Sequence, residues 1–336
     1  MLERVAAIRT GNTSPYRNIA VEKYLMDHVT PGLCVLYLWR NANTVVIGRN
    51  QSARAEVRLD ALEKAGGHLA RRLSGGGAVY HDLGNLNFTF IVRHADYDVA
   101  RQTDVVLRAV RALGVDAERS GRNDLLASGR KFSGHAYYRS GDACYHHGTL
   151  MVDVDAGALG RFLRPSSGKL ASKGVKSVHS RVVNLADLRP GLTVGMLAES
   201  LVEAFGEVYG LAVEELDESV LDQDEIAAST ERFSSREWLL RDELEEGFQA
   251  HGRFPWGEAS VRYVLDGGTI RDCTLSSDGL EADYLASVPA LLRGCAFERE
   301  AVEAALLSGA TDGELGGIAR DVAGLMFPAG EASASR

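Results

Sequence analysis

The sequence has no long apolar run and only four cysteines, and each lack excludes a class of protein. Residues Met1 to Asn12 carry Glu3 and no apolar core, so neither a signal peptide nor a transmembrane helix is expected, and the cytoplasm is the expected location. Cys34, Cys144, Cys273 and Cys295 lie far apart with no CxxC pair, which argues against a disulfide framework and a structural zinc site. Positive charge is in deficit: the formal net charge is −9, unfavourable for nucleic acid or an anionic membrane as partner. The deficit is uneven. Between Asp155 and Asp187 there is no Asp or Glu, while Arg161, Arg164, Lys169, Lys173, Lys176 and Arg181 fall inside. Such a run is either a solvated basic face or the cationic wall of an anion site.

What is present reads as a soluble chain of 336 residues, long enough for one large and one small domain. Apolar spacing predicts helices over 18–29, 96–113 and 193–209, with Gly114 as a stop signal after the second. Short apolar runs at 34–39, 44–47 and 86–92 predict strands, and short strands around Gly-rich turns are expected over 124–153. The order is mixed rather than a regular alternation, which favours an α+β fold. Leu211 to Ser229 has no Lys or Arg and many carboxylates, and residues 213–232 are expected to be an acidic linker. It would separate a domain at 1–212 from a small domain at 233–328, with 329–336 as a frayed tail. Within the small domain the pattern predicts a helix near 235–248, then a hairpin of 261–265 and 269–275 around Asp266-Gly267-Gly268. Two short helices near 284–293 and 299–307 follow.

Four segments carry the chemistry. In Arg71-Arg72-Leu73-Ser74-Gly75-Gly76-Gly77-Ala78-Val79-Tyr80-His81-Asp82, three consecutive glycines permit backbone conformations closed to other residues and close approach of a ligand. Exposed N–H groups there could form an anion-binding nest, with the paired arginines as charged donors; a plain hairpin loop is the alternative. The spacing fits neither a Walker loop nor a dinucleotide fingerprint. Next, Gly121-Arg122-Asn123-Asp124-Leu125 precedes Gly129-Arg130-Lys131-Phe132-Ser133-Gly134. Its lysine could neutralise phosphate or carboxylate oxygens and its Asp could hold Mg²⁺; a surface ion pair is the alternative. In His146-His147-Gly148-Thr149-Leu150 two adjacent histidines on a strand point to opposite faces, so at most one reaches a pocket. Cys144, three residues before His147, falls on the face opposite to it, which weighs against a Cys-His nucleophile pair. Last, Lys173-Gly174-Val175-Lys176-Ser177 is a Gly-hinged loop with two cations, able to cover an anionic ligand.

Together and in this order these segments resemble the lipoate–protein ligase A family. The resemblance also covers Tyr37-Leu38-Trp39-Arg40-Asn41, Val45-Val46-Ile47-Gly48-Arg49, and the block through Asn85, and it runs to about Leu185. Phe254-Pro255-Trp256-Gly257 and the hairpin after it are similar to the family's accessory C-terminal domain. The resemblance implies a biotin/lipoate transferase-type α+β catalytic domain plus that small domain, acting as a monomer. It assigns Arg72, Gly75, Gly76, Gly77, Ala78, Val79, Tyr80, Asn85, Asp124, Lys131 and Lys173 to ATP or lipoyl-AMP, with Lys131 catalytic between lipoate carboxylate and α-phosphate. Gly77, His81, Lys131, Arg139, His147 and Gly148 are assigned to lipoate, and Asp124 to Mg²⁺.

The implied reaction uses ATP, Mg²⁺ and lipoate to make lipoyl-AMP, then modifies a lysine of an acceptor. The implied acceptors are lipoyl domains of 2-oxo-acid dehydrogenase E2 subunits and the glycine-cleavage H protein. Such acceptors often carry acidic neighbours, so the basic stretch from Arg161 to Arg181 is expected to steer them. The alternatives are a lipoyltransferase using preformed lipoyl-AMP, an octanoyl transferase working through Cys144, a biotin ligase, and a non-catalytic binding sensor. One departure stands out: after Trp238 the family's aromatic-glycine-proline turn is replaced by Leu239-Leu240-Arg241-Asp242, which predicts a differently packed junction.

Overall fold

The computed structural model describes residues 2–121, 123–164, 182–241, 244 and 246–327. Lys173 and most of the basic stretch lie outside the described residues, as does the tail from 328. The chain divides into two units: 1–46, 56–71 and 78–239 form the first; 47–55, 72–77 and 240–336 form the second.

The first unit is built on an eight-stranded sheet of order β11-β1-β2-β6-β10-β9-β8-β7. Its strands are β1 (Arg4–Arg9), β2 (Leu33–Trp39), β6 (Asn85–Arg93), β7 (Ala117–Ser120), β8 (Asp124–Ala127), β9 (Arg130–Ser140), β10 (Ala143–Met151) and β11 (Val213–Leu216). β1 runs parallel to β2 and β11, and the ladders from β2 to β7 are antiparallel. Helix α1 (Pro15–His28) makes the crossover that two parallel strands require. A small sheet of β4 (His68–Arg71), β3 (Thr44–Ile47) and β5 (Val79–His81) lies beside it in the order β4-β3-β5.

Alternation along the strands gives the large sheet two distinct faces. One carries Leu36, Leu38, Phe88, Phe90 and Val92, covered by α2 (Val99–Ala112) and α3 (Val194–Tyr209) to form the main core. Burying each of these large side chains contributes about 1.5–3 kcal/mol. α2 is begun by Asp98, whose carboxylate accepts from the Arg101 N–H at 2.9 Å, and α3 is ended by Gly210 in the left-handed region at φ 63°. The opposite face receives α1, which packs against β6 and β10 and against α4 (Gln223–Ser234).

The segment expected to be a linker, 213–232, instead carries β11, most of α4 and the turn joining them, all within the first unit. Its carboxylates meet arginines of the first unit: Glu214 pairs with Arg4 at 2.7 Å, Glu215 with Arg9, and Glu218 with Arg17. The lack of basic residues was misleading because the cations come from far away in sequence.

In the second unit β12 (Phe248–Phe254), β13 (Gly257–Asp266) and β14 (Thr269–Ser277) form an antiparallel sheet. α5 (Ala282–Leu292), α6 (Arg299–Ser308) and α7 (Gly313–Met326) share a core with it through Val261, Ile270, Leu285, Val302 and Val322. Among the described residues the helix expected near 235–248 is the short Arg236–Leu240, and 248 already begins β12. α7 was not anticipated because Gly313, Gly316, Gly317 and Gly324 weaken its propensity; Ile318, Val322 and Met326 bury it.

Candidate functional site

Lys131 reaches the α1-side face of the sheet because β9 is irregular. The ladder with β8 pairs Leu125 with Ser133 and Leu126 with Lys131, leaving Phe132 as an extra residue. Without that bulge, alternation would turn Lys131 toward the core; with it, Phe132 enters the core instead. Lys131 Nζ then lies 2.7 Å from Asp124 Oδ1, each side chain a little over a third exposed. Gly134 makes room for this: a Cβ there would stand 2.9 Å from Lys131 Nζ and 3.0 Å from its Cε.

The same face carries a polar row. Asn85 donates to Asn87 Oδ1 at 2.9 Å, and Asn87 donates to the Trp39 carbonyl at 3.3 Å. Trp39 Nε1 donates to Thr89 Oγ1 at 3.1 Å, and Thr89 donates to Glu22 Oε1 at 2.8 Å. His147 Nδ1 meets the same Glu22 oxygen at 2.8 Å. Glu22 is fully buried on α1, and the sequence reading missed it. Its signal was a carboxylate in phase with Asn18, Val21 and Leu25 on the inward face of α1. His81 is buried beside this row, with Nδ1 3.2 Å from the Asn41 amide nitrogen and its ring edge-on to Trp39.

The two adjacent histidines divide as the strand alternation requires. His147 faces α1, while His146 faces the core and continues a buried chain: its Nε2 lies 2.9 Å from His135 Nδ1 and its Nδ1 3.1 Å from Gln102 Oε1. His135 Nε2 in turn lies 3.0 Å from Ser133 Oγ. Burial pushes the His135 imidazole down to about 3 and His146 well below its ordinary value, so both are neutral at pH 7.

Two residues assigned to lipoate sit elsewhere. Arg139 is on the core-side parity of β9 and eight residues from Lys131, roughly 25 Å along a strand. It contacts the Gly141 carbonyl at 3.0 Å and His94 Nε2 at 3.1 Å, so it does not meet a carboxylate held by Lys131. Gly148 also faces the core: a Cβ would lie 2.7 Å from Phe88 Cζ, so glycine is needed there for packing. Cys144 lies on the same core side, its Sγ 3.6 Å from His94 Nδ1, and burial raises its thiol pKa. A neutral thiol turned away from Lys131 is a poor nucleophile for the octanoyl reading.

The glycine run has three different reasons for its three glycines. Gly75 packs on the second unit's own backbone, where a Cβ would lie 2.8 Å from Leu280 Cα and overlap the Gly279 carbonyl. Gly76 has φ 93°, a conformation that side chains avoid. Gly77 meets nothing within 4 Å, so it is the one open to a ligand. Arg72, expected to meet phosphate, braces the loop from within, donating to the Gly75 carbonyl at 2.7 Å, the Gly77 carbonyl at 2.9 Å and Ser74 Oγ at 3.1 Å. Arg71 is likewise bonded to main-chain carbonyls. It is fully buried and donates to the carbonyls of Trp238 at 2.9 Å and Leu239 at 2.7 Å, while Trp238 Nε1 donates back to the Arg71 carbonyl at 2.9 Å. Ala78 and Val79 are half-buried, and the Tyr80 ring lies tilted against Phe162, its hydroxyl donating to Asn43 Oδ1 at 3.2 Å.

Among the described residues no group of three or more His, Cys, Asp or Glu side chains could cage a metal. Asp124 alone, next to a lysine, suits an ion that keeps most of its waters and takes further oxygens from phosphates, which is the habit of Mg²⁺.

This arrangement has relatives. Residues 14–206 match the family described as lipoyl protein ligase A/B catalytic domain, and residues 245–322 match bacterial lipoate protein ligase C-terminus. The chain belongs to the lipoyl protein ligase A/B family. A lipoate-protein ligase A of Bdellovibrio bacteriovorus is 36% identical over 314 residues, covering 91% of this chain and 93% of that one. The LipL1 of P. falciparum, solved in complex with lipoate, superposes with a TM-score of 0.84 at 22% identity over 95% of this chain and 99% of that one. The bi-partite lipoate protein ligase of Thermoplasma acidophilum, solved in a study of that ligase and its E2 lipoyl domain, gives 0.63 at 27% identity over 73% and 99%. A lipoate-protein ligase A bound with ATP gives 0.60 at 26% identity over 72% and 99%. The protein is therefore an enzyme of the lipoate-ligating class, and its α+β fold is that of these ligases. No described helix is long and apolar enough to cross a membrane.

Proposed function

We propose that this ligase activates lipoate with ATP and transfers the lipoyl group from lipoyl-AMP to a lysine of a lipoyl domain. The observation that carries the reading is Lys131 in ion-pair contact with Asp124 on the face that also holds the buried Glu22–His147 row. Lys131 marks the anionic end of the substrate. The row beginning at His147 lies several residues along the sheet, and the hydrocarbon chain of lipoate extends toward it.

In the first step a lipoate carboxylate oxygen forms a bond to the α-phosphorus, and the bond from that phosphorus to the bridging β-phosphate oxygen breaks, releasing pyrophosphate. Two anions must approach each other, so the chain's main task is neutralisation and alignment. Lys131 supplies the positive charge between carboxylate and α-phosphate. The open backbone at Gly77 and the neighbouring Ala78, Val79 and Tyr80 form the nucleotide loop, and Arg72 keeps that loop in shape. Asn85 and His81 border the substrate, and Lys173 is a further cation assigned to the adenylate. Asp124 would hold Mg²⁺, which neutralises phosphate charge when bound.

In the second step the acceptor amine attacks the carbonyl carbon, AMP leaves with the mixed-anhydride oxygen, and the nitrogen releases its surplus proton. A free lysine has a pKa of about 10.4, so the attack draws on its minor neutral form. No enzyme nucleophile is consumed, which agrees with the withdrawn position of Cys144. The acceptor class is supported by the Thermoplasma ligase studied with its E2 lipoyl domain; the glycine-cleavage H protein is the second expected acceptor. Lys131→Ala should slow lipoyl-AMP formation by about 10²–10³. Pyrophosphate release measured without an acceptor checks this, and a rate within a few-fold of the parent would remove Lys131 from its role.

A further inference from the structure

The glycine loop belongs to the second unit, where the turn at 47–51 ties it to the strip 276–283. On one side the turn at 47–51 pairs with the loop: Arg72 N–H donates to the Ile47 carbonyl at 3.0 Å and Arg49 N–H to the Ser74 carbonyl at 2.9 Å. Gly48 is a glycine because a Cβ would overlap the Gly76 carbonyl. On its other side the same turn pairs with 276–283. Ser277 N–H donates to the Asn50 carbonyl at 3.0 Å, and the Asn50 amide donates to the Ala282 carbonyl at 2.7 Å. Ser52 N–H donates to Ser276 Oγ at 3.0 Å, and Arg49 forms an ion pair with Asp283. Asn50 is 4% exposed, so its amide has no water to fall back on. The circle closes directly, since Gly75 rests on Gly279 and Leu280.

We propose that Asn50 is a positioning residue for nucleotide binding: through Ala282 and Ser277 it fixes the strip Ser276–Asp283, and that strip fixes the glycine loop so that Gly77 stays open to the phosphates. The proposal rests on the reading of Arg72–Gly77 as the nucleotide loop. Asn50 touches no substrate. Its influence runs through backbone placement, and therefore falls on ATP rather than on lipoate.

The test is steady-state kinetics of the full chain with ATP and lipoate varied separately, together with calorimetric ATP binding. Asn50→Asp keeps an oxygen where the parent has one but loses the donor to Ala282. It should raise the KM and the dissociation constant for ATP about tenfold, as loss of one buried hydrogen bond allows, with the KM for lipoate held within about twofold. Asp283→Ala, at an exposed ion pair that the fold can lose, should raise the KM for ATP by about threefold and keeps the test alive if Asn50→Asp does not fold. Gly77→Val, placed where nothing lies within 4 Å, reports on the loop itself and should also raise the KM for ATP. If Gly77→Val weakens ATP while Asn50→Asp and Asp283→Ala do not, the positioning role is wrong and the loop reading stands. A parallel rise of both KM values in Asn50→Asp would also overturn it. If Gly77→Val leaves ATP binding unchanged, the loop reading falls and the proposal falls with it.

Discussion

At Gly75 one added methyl group would have to share space with the backbone of Gly279 and Leu280, whereas at Gly77 it would meet nothing. Overpacking against backbone costs about 1–3 kcal/mol. Gly75→Ala should therefore lower the melting temperature by several degrees and Gly77→Ala should leave it nearly unchanged, as differential scanning fluorimetry would show. Equal losses at both positions would mean that the two glycines are not doing different jobs. The run of three glycines was plain in the sequence as a loop with unusual backbone needs. Which neighbour each answers to was not, because Leu280 is about two hundred residues away. The same limit explains the arginines. A pair of cations beside glycines reads as an anion site, yet Arg71 ends on the Trp238 and Leu239 carbonyls and Arg72 on those of its own loop. Arg71→Ala would leave two carbonyls and a cavity, costing about 3–5 kcal/mol in a denaturant titration; a loss under about 1 kcal/mol would show that Trp238 and Leu239 do not depend on it.

Between β9 and β10 the His135–His146 contact turns a packing detail into a pH dependence. Both imidazoles are neutral in the folded chain and titrate near 6.5 once unfolded. A folded-state value below the unfolded one gives stability that is complete above about 6.5 and is lost as pH falls toward 3. Lowering the pH from 7.5 to 5.5 should therefore destabilise the fold, read as a lower urea midpoint. His146→Gln should lessen that slope, and an unchanged slope would contradict the assignment. The alternation argument placed one of the adjacent histidines, 146 and 147, inward and left the other for the site, and His147 is the one facing α1. By the same alternation Gly148 falls on the core side, where it meets Phe88; Lys131 escapes the rule, because its face depends on the bulge at Phe132. A bulge is an event between two strands, and neither strand announces it alone.

For the whole molecule, the order and type of the main elements of the first unit were legible because α2, α3 and the central strands repeat apolar residues at clear periods. The boundaries were less so. Residues 213–232 looked like a linker by composition, but β11 and α4 join the first unit through Arg4, Arg9, Arg17 and the packing of α1. The glycine loop looked like part of the first domain by position, but its neighbours are the strip Ser276–Asp283. The central claim is the two-step ligation organised around Lys131. It is tested most directly by mass spectrometry of an apo lipoyl domain incubated with the enzyme, ATP, Mg²⁺ and lipoate, in parallel with Lys131→Ala and with lipoyl-AMP replacing ATP and lipoate. The account predicts lipoylated acceptor from ATP and free lipoate, lost in Lys131→Ala. Product formed from lipoyl-AMP alone, or in equal amount by Lys131→Ala, would contradict it.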